Sequence, residues 1–137
     1  MKKLKKICPL LIPLFVSSLI VILFQSVFFL GYVPTESMEP TMKAGSIALG
    51  LRCFDEPKTG DIIVFHHDGA CLVKRIAARG GDTIVHRDSL MTVPENCFYV
   101  LGDNTENSYD SRYWDDPFVS YSDVIAKLLF PVKLKTI

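Results

Sequence analysis

The sequence has no net charge: 15 Lys and Arg residues stand against 15 Asp and Glu. Four of the basic residues, Lys2, Lys3, Lys5 and Lys6, sit at the extreme N-terminus, so the rest of the chain is net acidic. Nucleic-acid binding needs a basic footprint, and its absence excludes that class of partner. There is no Cys-x-x-Cys among the four cysteines, Cys8, Cys53, Cys71 and Cys97, which argues against a zinc ribbon or a redox pair. The spacing leaves any disulfide pairing among the last three open. No internal repeat and no low-complexity tract is present. Asp103, Asp110, Asp115, Asp116 and Asp123 do not form an EF-hand loop, because Ser108 stands where the mid-loop glycine is required and Trp114 where the terminal glutamate is required. No metal and no cofactor is expected. The oligomeric state stays open.

A further absence is local. Between Ile7 and Thr35 there is no Asp, Glu, Lys or Arg. A helix rising about 1.5 Å per residue over such a run crosses the roughly 30 Å hydrocarbon core of a bilayer. A cleaved leader has a shorter apolar region and a small-residue Ala-x-Ala site. This run instead ends in Phe28-Phe29-Leu30-Gly31-Tyr32. The expectation is therefore a retained single span over residues 7–31 in the cell membrane. Residues 1–6 stay in the cytoplasm by the positive-inside rule, and residues 32–137 form an extracytoplasmic domain. Pro9 and Pro13 are expected in the first turns of the span, where proline costs least.

The outer residues read as strands separated by turns. Ser46 to Leu51 is a short apolar run, and Asp55 to Asp61 is a turn cluster. Ile62-Ile63-Val64-Phe65 has the composition of a buried strand. His67-Asp68-Gly69 reads as a hairpin turn returning into a strand over Cys71 to Ala78. Further strands are expected at Thr83 to His86, Phe98 to Leu101 and Val124 to Val132, with a long polar loop over Gly102 to Ser122. The predicted fold is all-β, a small, mostly antiparallel sheet or partly open barrel following one N-terminal transmembrane helix.

Two residues carry candidate chemistry. Ser37 lies just beyond the apolar run, on a segment stiffened by Pro34 and Pro40. A serine needs a base to act as a nucleophile. His66 and His67 adjoin a hairpin tip, His86 ends a strand beside charged residues, and all three read as surface histidines. Lys74 is the better base. Strand alternation puts it on one face with Leu72 and Ile76, with Val73, Arg75 and Ala77 on the other. A lysine between apolar neighbours loses hydration, its pKa falls, and the neutral amine can take a hydroxyl proton.

Three segments together resemble the type I signal peptidase family. They are Ser37-Met38-Glu39-Pro40-Thr41, then Lys74-Arg75, then Gly102-Asp103-Asn104 with Ser108, Asp110, Ser111 and Arg112. The resemblance implies Ser37 as nucleophile and Lys74 as general base. It implies that Thr35 helps hold the oxyanion and that Ser108 orients the lysine. Asp110 and Arg112 would form an ion pair behind the site, with Arg75, Asp103 and Asn104 as structural support. Val33, Pro34, Met38, Met42, Leu72 and Val73 would line shallow pockets for small side chains of an extended peptide. The implied substrates are signal-peptide-bearing preproteins, cleaved through an acyl-enzyme beside the lipid bilayer. Leu128, Leu129, Phe130 and Trp114 are candidates for a surface that dips into lipid, or equally for the core.

The chain departs from the family pattern at Gly45-Ser46, at Ala78-Arg79-Gly80-Gly81-Asp82 and at Thr105, all expected turn positions. It also has little room for a second lobe between Asp82 and Phe98. Two alternatives stand beside the favoured reading. One is a dedicated processing peptidase for a few exported precursors. The other is an inactive membrane-anchored β-domain that binds exported chains.

Overall fold

The structure, a computed structural model, describes the backbone of residues 4–132 and the side chains of residues 11–129. It opens with helix α1 (Leu4–Val27), followed by strands β1 (Phe28–Tyr32), β2 (Ile47–Leu51), β3 (Ile62–His67), β4 (Ala70–Arg79), β5 (Thr83–His86), β6 (Ser89–Thr92), β7 (Cys97–Leu101), β8 (Phe118–Ser120) and β9 (Val124–Val132). A single 3₁₀ turn, Tyr121–Asp123, precedes β9.

The expected span of residues 7–31 is redrawn at its end. The helix stops at Val27, and residues 28–32 instead pair with β2, Phe28 opposite Leu51 and Tyr32 opposite Ile47. Phe28, Phe29 and Tyr32 are aromatic and suit a half-buried strand better than a helix end. Arg52 N–H donates to the Val27 carbonyl at 2.8 Å, which joins the helix end to the sheet. Because α1 begins at Leu4, Pro9 falls in its second turn and Pro13 in its third, each deeper in the helix than a start at residue 7 would put it. Among the described residues no helix is long and apolar enough to cross a membrane.

The strands pair antiparallel in one open seven-stranded sheet, ordered β1-β2-β9-β3-β4-β7-β8, with β5-β6 as a separate two-stranded ribbon. The prediction of an all-β, antiparallel domain therefore holds. Strand alternation divides the core between the two faces of the sheet. Val64 packs on one face with Val33, Met38, Met42, Ala48 and Ala126. Its neighbours Ile63 and Phe65 pack on the other with Ile76, Val100, Trp114 and Val119. Each fully buried large side chain contributes roughly 1.5–3 kcal/mol. Two connections do the covering. The segment between β1 and β2 lays Met38 and Met42 on the first face, and the loop between β7 and β8 lays Trp114 on the second.

This packing decides between some expectations and corrects others. Trp114 and Leu128 are buried core and not lipid-facing, while Leu129 is exposed; the side chain of Phe130 lies outside the described residues. His86 is buried against Tyr99, and half-buried His67 stacks on Trp114 with ring centroids 3.8 Å apart, so only His66 is a surface histidine. The loop predicted over 102–122 contains β8, and β6 occupies part of the stretch between Asp82 and Phe98. Cys53, Cys71 and Cys97 are free thiols.

Candidate active site

Strand β4 changes partners along its length. From Ala70 to Arg75 it pairs with β3, but it meets β7 only from Arg75 onward. Residues 70–74 therefore present one edge with no strand on it. At this edge the two covering segments converge, one carrying Ser37 and the other Ser108. A cavity of about 340 Å³ opens there, with Ser37, Lys74, Thr35, Leu72 and Tyr109 among its lining residues.

Lys74 points to the face that also holds Ile76, and it is only 4% exposed. Burial removes hydration from its ammonium and drives its pKa below the usual lysine value. Asp110 pulls the pKa back up, and the Arg112 charge pushes it down again. The amine donates to Ser108 Oγ at 3.0 Å, and Ser108 Oγ in turn donates to Asp110 Oδ2 at 2.6 Å. Since the one hydroxyl proton of Ser108 is committed to Asp110, Ser108 must accept from the lysine. A neutral amine held in this way keeps its lone pair free.

Asp110 is fully buried and saturated with donors. Gly102 N–H reaches Oδ2 at 2.8 Å, and Arg112 reaches Oδ1 through Nε at 2.8 Å and Oδ2 through its terminal nitrogen at 2.9 Å. Burial alone would raise this carboxyl, but the hydrogen bonds from Arg112, Gly102 and Ser108 outweigh it and hold it below the ordinary range. Ser111 Oγ, also buried, accepts from Val100 N–H at 3.0 Å and pins the loop to β7.

Ser37 is 9% exposed, and its Oγ lies 3.3 Å from Thr35 Oγ1. The hydrogen bonds that Ser37 Oγ and Lys74 Nζ form go to other hydroxyls, while both groups line the one cavity. The Ser37 segment is fixed by Asn104, whose N–H donates to the Ser37 carbonyl at 3.0 Å and whose Nδ2 donates to the Glu36 carbonyl at 3.1 Å. Arg75, on the opposite face of β4 from Lys74, grips Asp103 with Nε at 2.7 Å and a terminal nitrogen at 2.6 Å, and also reaches Thr41 Oγ1 at 3.4 Å. This clamp ties strand, loop and Ser37 segment together.

Val33, Pro34, Met38, Leu72 and Val73 line this cavity, whereas Met42 is 1% exposed and packs in the core with Val33 and Met38. Four lining residues were not singled out from sequence: Tyr32, Cys71, Asn107 and Tyr109. Gly102 was also missed as a site residue. A Cβ there would fall on the Ser108 side chain and 2.6 Å from the Ser37 carbonyl oxygen, so only glycine lets the two segments meet. Its place between a strand and Asp103-Asn104 was the available signal.

The family model for signal peptidase, peptidase S26, matches residues 5–93 and 85–133, nearly the whole chain. The chain belongs to this family. It is a hydrolase, a serine peptidase of the signal peptidase I type. It is 31% identical to the "Probable signal peptidase I-1" of Synechocystis sp. over 87% of this chain and 79% of that protein. It is 29% identical to the "Signal peptidase I" of Leptolyngbya laminosa, over 61% of this chain and 59% of that protein. A third relative, "Inactive signal peptidase IA" of Staphylococcus aureus, is 23% identical over 90% of both chains. Among the described residues of this peptidase no cluster of His, Cys, Asp and Glu suited to a metal ion is found.

Proposed function

We propose that this peptidase removes signal peptides from exported preproteins with Ser37 and Lys74 as a catalytic pair. The observation that carries this reading is the buried Lys74 amine, depressed in pKa and hydrogen-bonded to Ser108, in the same cavity as Ser37. Ser37 Oγ attacks the scissile carbonyl carbon and its proton passes to Lys74 Nζ. Apo geometry of a nucleophile and base is commonly loose and tightens when substrate binds. The Thr35 hydroxyl and the Ser37 N–H donate to the oxyanion. Donors of this kind typically lower the barrier by about 2.7–4 kcal/mol each. The C–N bond then breaks, the lysine ammonium protonates the leaving amine, and an ester to Ser37 remains. Water attacks the ester, Lys74 accepts its proton, and the released Ser37 is reprotonated.

The free β4 edge at 70–74 suits an extended peptide that adds as a strand. Pro34, Met38 and Leu72 offer apolar walls for small side chains.

The helix supports anchoring to the membrane. No Asp, Glu, Lys or Arg stands between Ile7 and Thr35, and on the helix Leu11, Phe15, Ile20 and Phe24 are all at least half exposed. The helix would carry the catalytic domain just outside the membrane, where a substrate's cleavage site emerges.

Ser37→Ala and Lys74→Ala should each abolish cleavage of a preprotein in detergent, while Ser89→Ala leaves it intact. Wild-type rates from either of the first two would refute the pair. The S. aureus relative named inactive favours a second reading, an idle β-domain that binds exported chains. A serine-reactive probe that labels wild type and not Ser37→Ala excludes it.

A further inference from the structure

A second groove, of about 680 Å³, lies where α1 meets β1, and it lies apart from the catalytic cavity. Its walls are apolar: Ile20, Phe24, Phe28 and Leu30 are among them, with Phe24 and Leu30 largely exposed. Its two polar groups, Gln25 and Arg52, both sit at the domain end. Ile20 lies roughly 6 Å further down the helix than Phe24. The groove is therefore graded, charged beside the domain and apolar along the helix.

Arg52 differs from every other arginine of the chain. Arg75, Arg79, Arg87 and Arg112 each have a carboxylate within 4.0 Å. Among the described residues Arg52 has none. Its guanidinium is instead steadied 5.4 Å above the Phe29 ring, and its backbone is fastened to the helix end at Val27. A planar, permanently charged fork without a counter-charge, at the mouth of an apolar groove, suits a phosphate.

We propose that this groove holds one anionic phospholipid, its phosphate on Arg52 and Gln25 and an acyl chain along Phe24 and Ile20. The proposal rests on the membrane-anchored reading, because only then does the groove meet the outer leaflet at headgroup depth. A bound lipid would brace the junction between helix and sheet. Phe28, Leu30 and Tyr32 alternate onto one face of β1, and Tyr32 lines the catalytic cavity. The brace would thus set the height of the active site above the membrane.

The test uses the full chain in vesicles of phosphatidylcholine with and without one-fifth phosphatidylglycerol. Flotation is scored first, and then the lipid retained after mild extraction is read by native mass spectrometry. Wild type should retain phosphatidylglycerol over phosphatidylcholine by about fivefold, the factor expected of one basic side chain at an anionic surface. Arg52→Gln should lose that preference, and Lys43→Gln, which removes an exposed charge elsewhere, should keep it. Equal preference in Arg52→Gln and wild type overturns the site. Equal loss in Lys43→Gln also overturns it, since diffuse surface charge then explains the effect. A raised KM for a preprotein in Arg52→Gln with phosphatidylcholine alone would mean that the groove holds substrate, and the lipid proposal falls. Wild type that floats with neither vesicle refutes the anchor itself, a result distinct from all the others.

Discussion

Lys74 and Arg75 are consecutive residues of one strand, and they meet opposite environments. Lys74 turns to the face covered by the loop after β7 and loses its water; its one described hydrogen bond is to a neutral hydroxyl. Arg75 turns to the other face and is clamped by a carboxylate through two nitrogens. The first arrangement costs stability and leaves the amine that the proposed mechanism uses as its base. The second stabilises and makes a hinge-pin between strand and loop. A lysine given a direct carboxylate would stay protonated, so the proposed chemistry needs Asp110 one hydroxyl away and itself neutralised by Arg112. The comparison teaches that the distance from a cation to its nearest carboxylate decides whether the group is clamped in its charged form or left readier to lose its proton.

The strongest way to break this contrast is Lys74→Met. Loss of the proposed base should lower kcat by about 10²–10⁴-fold. Stability should hold or rise. At neutral pH the unfolded chain protonates this lysine, while the folded chain disfavours its charge. Stability therefore climbs as pH rises from the depressed folded value to the ordinary lysine value, and removing the amine removes that penalty below it. A Tm several degrees lower in a melt of the variant would contradict the contrast.

Gly102→Ala should come next. Its methyl group would displace Ser108 or push the Ser37 carbonyl away, lowering kcat by about 100-fold, with a stability loss of about 1–3 kcal/mol. Retention of wild-type kcat would show that the two segments need not meet so closely.

Arg112→Gln sharpens the electrostatic half of the comparison. Without the guanidinium, Asp110 is uncompensated and Lys74 holds its proton more tightly. The acid limb of the kcat/KM profile should move to higher pH, with the rate recovering on the alkaline side. An unmoved limb would show that Arg112 has no electrostatic role at the base.

The smallest effect belongs to Asp103→Asn. The Arg75 side chain is 34% exposed, so solvent screens the pair and the loss should be about 1 kcal/mol. The Asp103 carboxyl is held below its ordinary value by Arg75 and Thr41 despite burial. Its stabilisation is therefore present above the ordinary aspartate range and lost as pH falls through the depressed value. Urea titrations across that range should show less pH dependence in the variant, with the position of the acid limb unchanged.

Much of this is legible in the sequence alone. The alternation through Leu72, Lys74 and Ile76 predicts a buried lysine because the period of a strand is fixed by its backbone. Spacing and residue type were enough to connect Ser37, Lys74 and Ser108 through the resemblance they carry together. Strand β1 was not legible, because Phe28 to Tyr32 continues an apolar run without a break, and length alone does not tell a helix end from a strand. His86 was misread because charged neighbours in sequence suggested solvent, whereas Tyr99 covers it in space.

The amino-acid sequence by itself determined the list of parts: an uncharged N-terminal run, alternating strands, a serine between prolines, a lysine between apolar residues. What only the tertiary structure decided was which parts touch. Ser108 lies 34 residues beyond Lys74, and their meeting depends on two covering segments reaching the same strand edge from opposite faces of the sheet. No local pattern encodes that convergence, because it is enforced by the packing of Met38 on one face and Trp114 on the other.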